Sequence, residues 1–183
     1  MPNNENKIFL TFDDGPTPEV TDFVLDSLEK YSIPATFFFL GEQVEKNRDL
    51  SSRVLVSEHQ VANHGYSHLD ARNLSLEEYC TNKQSGQALI EGLGGSTLFR
   101  PPYGRFKKGD QCIILWSLMA GDFDKNLSKE KCLKVLQTKT QSGDIIVFHD
   151  NQKSFAKLKW VLPRYLKFCV DNGFRFGLIE EEL

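Results

Sequence analysis

The sequence predicts a single α/β domain built on parallel strands. Apolar runs of strand length alternate with stretches of helical period along the chain. Acids and histidines fall just after several of those runs, and the C-terminal strand ends of parallel α/β folds share the face where active sites gather. No repeat, low-complexity tract or linker divides the 183 residues, which is enough chain for an ordinary core. Periodicity alone does not choose between a doubly wound sheet and a closed barrel.

Residues 7–12 are an apolar run ending in two acids and Gly-Pro, a strand and a turn. Residues 18–31 place Val20, Phe23, Val24, Leu25 and Leu28 at helical spacing, with Pro18 near the first turn. A strand follows at 35–40, a short helix at 50–57 and a brief strand at 60–62. Residues 76–93 read as a long polar helix, started by Ser75 with Glu78 three residues on, a capping box. Short strands are predicted at 98–99 and 112–118, a helix at 128–141 ended by Ser142-Gly143, and a buried strand at 144–148. A helix at 153–172, with a kink expected at Pro163, and a last strand at 175–179 complete roughly seven strands.

Composition narrows the function. A hydrophobic fraction of 40% and a charged fraction of 26% describe a soluble globular chain. A net charge of −3 offers no basic excess for nucleic acid. No apolar run approaches the ~20 residues of a membrane span. The first seven residues are polar, so no secretory signal is read and a cytoplasmic location is expected, or an extracytoplasmic one if a leader has been trimmed. Cys80, Cys112, Cys132 and Cys169 form no CxxC pair and read as ordinary thiols. His59 precedes a strand and reads as structural or exposed, not as a ligand.

The chemistry lies at the strand ends. His64 and His68 are four apart, so in a helical turn both rings face one way and suit one metal. Alone, such a pair fits two structural histidines as well. With Asp14 it forms a set of two imidazoles and a carboxylate, a common one for zinc or a similar divalent ion that leaves positions for water and substrate. Adjacent Asp13 and Asp14 suit a tight turn by themselves. Past a strand end the turn also splays them, so that one binds metal while the other accepts a proton. Arg100, Asp122 and His149 end or follow other strands. Each has a plain structural reading: a salt bridge, a turn acid, and a helix start with Asp150 as its cap.

In order, TFDDGP at 11–16, HGYSH at 64–68, FRPPYG at 99–104, WSLMAGDFD at 116–124 and IVFHD at 146–150 resemble the motifs of the polysaccharide deacetylase family, the NodB-homology domain or carbohydrate esterase family 4. The tail GFRFGLIEEEL resembles the family's closing strand and helix, so the resemblance covers essentially the whole chain. It implies a distorted (β/α)7 barrel and a metal-dependent hydrolase that removes acetyl groups from N-acetylglucosamine polymers, or O-acetyl groups from xylan. It implies Asp13 as general base, paired with Arg100, and Asp14, His64 and His68 as metal ligands; that donor set suits zinc, with cobalt or nickel also accepted. It implies His149 as general acid, oriented by Asp122, the Tyr103 backbone N–H as a donor to the developing oxyanion, and an acetyl pocket lined by Phe123 and Val147. An acetylated carbohydrate is then the partner; oligomeric state is left open.

Several positions depart from the family pattern. Gly65 stands where a hydroxyl residue is usual, which predicts a looser loop. Met119 replaces an Asp, Phe123 a Trp and Val147 a Leu, which predicts an altered apolar pocket on an unaltered reaction class. The connection at 105–111 is too short for a crossover helix. A lost or rudimentary helix is therefore expected, with a barrel incomplete or irregular there, or two strands that are not parallel neighbours. The competing functions are an O-acetyl or other C–N hydrolase on the same scaffold, and an inactive carbohydrate-binding relative.

Overall fold

The computed structural model describes residues 6–110 and 113–179. At its centre is β1 (Lys7–Asp13), whose side chains are buried beyond the first residue. On one side it pairs with β2 (Thr36–Phe39), which pairs with β3 (Gln60–Asn63). On the other it pairs with β5 (Ile145–His149), which pairs with β4 (Leu118–Met119). All these pairs are parallel, in the order β3-β2-β1-β5-β4, and β6 (Arg175–Phe176) pairs with the foot of β1. The register sets Asp13 opposite both Phe38 and His149, so the strands' C-terminal ends lie at one level.

Alternation along the strands separates two apolar layers. Ile8, Leu10, Phe12, Phe37, Phe39, Val61, Ile146 and Phe148 join the main core beneath the helices. Phe9, Phe38 and Ala62 face the other way, into a smaller interior cluster with Leu98, Ile114 and Ile179. Thr11 and Asp13 share the face of Phe9, so the polar chemistry rises from the barrel interior.

Helices α1 (Val20–Glu29), α2 (Gly41–Lys46), α3 (Arg48–Val56), α4 (Leu76–Glu91), α5 (Lys129–Lys139) and α6 (Phe155–Asp171) cover the outer face. The capping box of α4 forms as read: Ser75 accepts the Glu78 N–H, and Glu78 accepts the Ser75 N–H. Helix α6 runs unbroken through Pro163. Short α2, with Val44 and Gly41 as its buried residues, has too little periodic signal to be read from sequence.

The expectations for strands need correction. Phe99 makes single bridges to Asn63 and Ile113, not a strand. The stretch read as one strand at 112–118 is divided: Ile113 bridges Phe99, whereas β4 pairs with β5. Cys112, its first residue, lies outside the described residues. The final strand covers Arg175–Phe176 alone, and the family's closing helix would fall at 180–183, also outside them. The expected irregularity at 105–111 holds over 105–110, where no helix follows the 3₁₀ turn Pro102–Gly104. The flanking bridge is parallel, and the described residues leave the barrel unclosed.

Candidate active site

Asp13 ends β1 pointing inward, where its Oδ1 accepts Arg100 Nη1 at 2.7 Å. Both side chains are buried. The guanidinium also donates to Thr11 Oγ1 at 2.7 Å and to the Ile114 carbonyl at 3.2 Å, and lies 4.0 Å over the Phe38 ring. Burial pulls the Arg100 pKa down, opposed by the charge of Asp13. Removing one partner of such a pair strands the other charge in the interior.

Asp14 follows with φ 83°, a left-handed backbone that turns its carboxylate away from that of Asp13. The turn is pinned from β5. Asp150 N–H donates to the Asp13 carbonyl at 3.0 Å, while the Asp150 carboxylate accepts the Gly15 N–H at 3.0 Å and the Thr21 hydroxyl at 2.6 Å. A Cβ at residue 15 would come within 2.1 Å of Asp150 Oδ2, so glycine is required. Asp150 is therefore not the cap of α6, whose N-cap position is Ser154. Full burial raises the Asp150 pKa well above the usual carboxylate range.

His64 follows β3. Its Nδ1 lies 2.6 Å from the Arg100 carbonyl, which can only accept, so Nδ1 carries the hydrogen and Nε2 is the free ligand atom. Nε2 of His64 and of His68 stand 3.5 and 3.4 Å from Asp14 Oδ1. Ligand atoms ~2.0–2.1 Å from a tetrahedral zinc are themselves about 3.4 Å apart. Asp14 Oδ1 is also buried with no hydrogen-bond partner, which is costly for a carboxylate oxygen unless a cation completes it. The three residues thus fit a divalent ion, and they are the one such cluster among the described residues. Burial would raise the Asp14 pKa, but the imidazoles of His64, His149 and His68 hold it far below the usual range. Burial lowers the pKa of His68.

The loop bearing the histidines is braced, contrary to the expectation from Gly65. That residue has φ +86°, its N–H donates to Asn63 Oδ1 at 2.7 Å, and its carbonyl accepts the Gly41 N–H at 2.9 Å. Asn82 of α4 donates to the Ser67 carbonyl and accepts the Ser67 N–H.

His149 ends β5. Asp122 Oδ1 lies 2.9 Å from its Nδ1, and Oδ2 accepts its backbone N–H at 2.8 Å. Burial opposes the charged ring, but Asp122 outweighs it, with Asp13 and Asp14 adding, and the His149 pKa rises to about 9. The Phe123 ring meets His149 edge-on at 4.9 Å. Val147 is fully buried on the same side of β5 as His149, in register with Met119 and Thr11. Tyr103 is 54% exposed, with its ring edge-on to His68 at 4.4 Å. It has φ 59°, and the turn's hydrogen bonds come from Gly104 and Arg105 rather than from its own N–H.

Every site residue read from sequence lies at this end of the barrel. Missed were Thr11, Asn63, Asn82, Asp150 and Asn151, which hold the functional groups in place. Asn151 had a local signal: it stands three residues before Ser154, whose N–H its Oδ1 accepts at 2.9 Å. His59 is structural, as its Nδ1 accepts the Ala35 N–H at 3.2 Å.

The sequence model described as polysaccharide deacetylase matches residues 1–110. A peptidoglycan-N-acetylglucosamine deacetylase of Bacillus cereus is 34% identical over 100% of this chain and 91% of its own length. The peptidoglycan-N-acetylmuramic acid deacetylase PdaC of Bacillus subtilis is 31% identical over 97% of this chain, which spans only 39% of that longer protein. Among solved structures, a peptidoglycan N-acetylglucosamine deacetylase superposes with a TM-score of 0.91 at 27% identity, covering 98% of this chain and 89% of the other.

Proposed function

We propose that this chain, which belongs to the polysaccharide deacetylase family, hydrolyses the N-acetyl group of N-acetylglucosamine units in a peptidoglycan- or chito-oligosaccharide-type glycan. The names of its relatives support the substrate class. The carrying observation is that two adjacent carboxylates have opposite partners: Asp13 faces a guanidinium, and Asp14 faces two imidazoles.

Asp14, His64 and His68 would hold the ion, for which zinc is proposed; cobalt and nickel suit the same donors. When bound, a divalent ion supplies Lewis acidity toward an acyl oxygen and toward water. Asp13, ion-paired with Arg100, takes the proton of the attacking water. The oxygen adds to the acetyl carbon, and the Tyr103 N–H supplies a donor for the acyl oxygen. As the C–N bond breaks, the nitrogen must gain a proton, because an amide anion is too basic to leave. Charged His149, held by Asp122, gives it, and acetate and a free amine result.

Acetate release from N-acetylglucosamine oligomers, peptidoglycan and acetylated xylan, paired with metal analysis, tests this. Wild type should hold near-stoichiometric divalent metal and favour the N-acetylated glycans. His68→Ala should lose metal and activity together. Asp13→Asn should keep metal and lose ~10²–10⁴-fold in turnover. Preferential release from xylan would make the protein an O-acetyl esterase, and glycan binding without turnover by metal-loaded protein would make it a binding relative.

A further inference from the structure

The geometry points to Asn151 as the positioning residue that dedicates one oxygen of Asp14 to the cation. This deepens the function proposed above and rests on its metal site. The two oxygens of Asp14 have unlike surroundings. Oδ2 accepts Asn151 Nδ2–H at 2.6 Å, whereas Oδ1 has no hydrogen-bond partner and is the atom facing His64 and His68. The amide has no alternative orientation. Its Oδ1 accepts the Ser154 N–H at the start of α6, so reversing it would set oxygen against carboxylate oxygen and N–H against N–H. The entry to α6 therefore aims the amide nitrogen at Asp14.

Two consequences follow from this contact. Turning the carboxylate to offer both oxygens to an ion breaks a charge-assisted hydrogen bond. A carboxylate restricted to one oxygen fills one coordination position, and a catalytic site needs an open one for water and substrate. An amide does this without the competing positive charge that Lys or Arg would bring beside a cation. Outer-shell partners of this kind are typically worth ~10–100-fold in metal affinity.

The isolating variant is Asn151→Ser. A serine hydroxyl can still accept the Ser154 N–H, preserving the turn, but is too short to reach Asp14. Zinc affinity measured against a chromophoric chelator should fall ~10–100-fold. The visible absorption of the cobalt-loaded variant should weaken as Asp14 engages through both oxygens and coordination number rises. Zinc affinity equal to wild type, or an unchanged cobalt spectrum, overturns the role given to Asn151. A crystal structure of zinc-loaded wild type needs no variant to fold: Oδ1 alone should face the ion, with Asn151 still on Oδ2. Both oxygens on the ion, or Asn151 turned away, overturns the role as well. Wild type that binds neither zinc nor cobalt sinks the metal reading itself, a failure distinguishable from equal binding by both proteins.

Discussion

Both carboxylate oxygens of Asp122 accept from residue 149, one from the ring and one from the backbone N–H. The carboxylate thus fixes where the imidazole sits as well as its charge. With a folded pKa of about 9 against 6.5 for a free ring, protonated His149 stabilises the fold fully below pH 6.5, and that contribution is lost as pH rises through 9. Proton donation fades over the same rise. A cation in the adjacent site opposes the ring's charge, so the clean measurement is on metal-free protein. There, an NMR titration should find His149 near 9, and Asp122→Asn should bring it to 6.5 or below. In the loaded enzyme the alkaline limb of kcat/KM should move toward lower pH in the variant, with a loss of ~10²–10⁴-fold. A ring that titrates unchanged in Asp122→Asn would falsify this account of the acid. Asp122 and His149 were legible because each stands in a motif. Asp150 stands in a motif too and Asn151 has its local contact to Ser154, yet their roles were not legible, because Gly15, Thr21 and Asp14, the groups they hold, come from a distant stretch of chain that only folding brings near.

Helix α4 meets the metal-binding loop through a glycine. A Cβ on Gly86 would lie 2.5 Å from Asn63 Oδ1 and 2.6 Å from the Gly65 carbonyl carbon. In an isolated helix, Gly→Ala gains ~1 kcal/mol. Here the atoms that must yield include loop backbone, and overpacking of that kind costs ~1–3 kcal/mol. The steric effect should win. Gly86→Ala is expected to lower the unfolding temperature of the metal-free protein and to weaken zinc binding, since the displaced loop bears His64 and His68. A higher unfolding temperature would show that propensity decides instead. The sequence announces α4 itself through Ser75 and Glu78, since a capping box is local chemistry. It does not announce Gly86, because close approach is a tertiary fact. The strands divide similarly. β1 and β5 were legible as continuous apolar runs buried on both faces. The stretch through Ile113 and Leu118 also looks like one run, but its two ends find different neighbours, Phe99 and β5, and an apolar pattern does not say with whom a strand pairs.

At the scale of the whole molecule, metal binding and acid stability both depend on neutral imidazoles, in different places. An ion held by Asp14, His64 and His68 ties the turn after β1 to the loop after β3 across β2. It binds the folded state alone, so free zinc at 100 times its Kd should add about 2.7 kcal/mol of stability. That increment must shrink as pH falls, because protonated histidines cannot ligate. His59 acts apart from the site. It is 9% exposed, accepts the Ala35 N–H through a bare ring nitrogen, and burial lowers its pKa to about 4. Between pH 6.5 and 4 the unfolded chain therefore binds a proton that the folded chain refuses, and stability falls as pH drops through that window by about 3 kcal/mol. Against a total of ~5–15 kcal/mol for a typical domain, this alone is a large share. Urea unfolding across the window, with and without zinc, separates the two effects. His59→Gln keeps an acceptor near Ala35 but cannot titrate. It should flatten the metal-free pH dependence while leaving the zinc increment at pH 7 intact. If the variant loses as much stability as wild type between pH 6.5 and 4, the acid sensitivity belongs to another group, and His59 is only a packed ring.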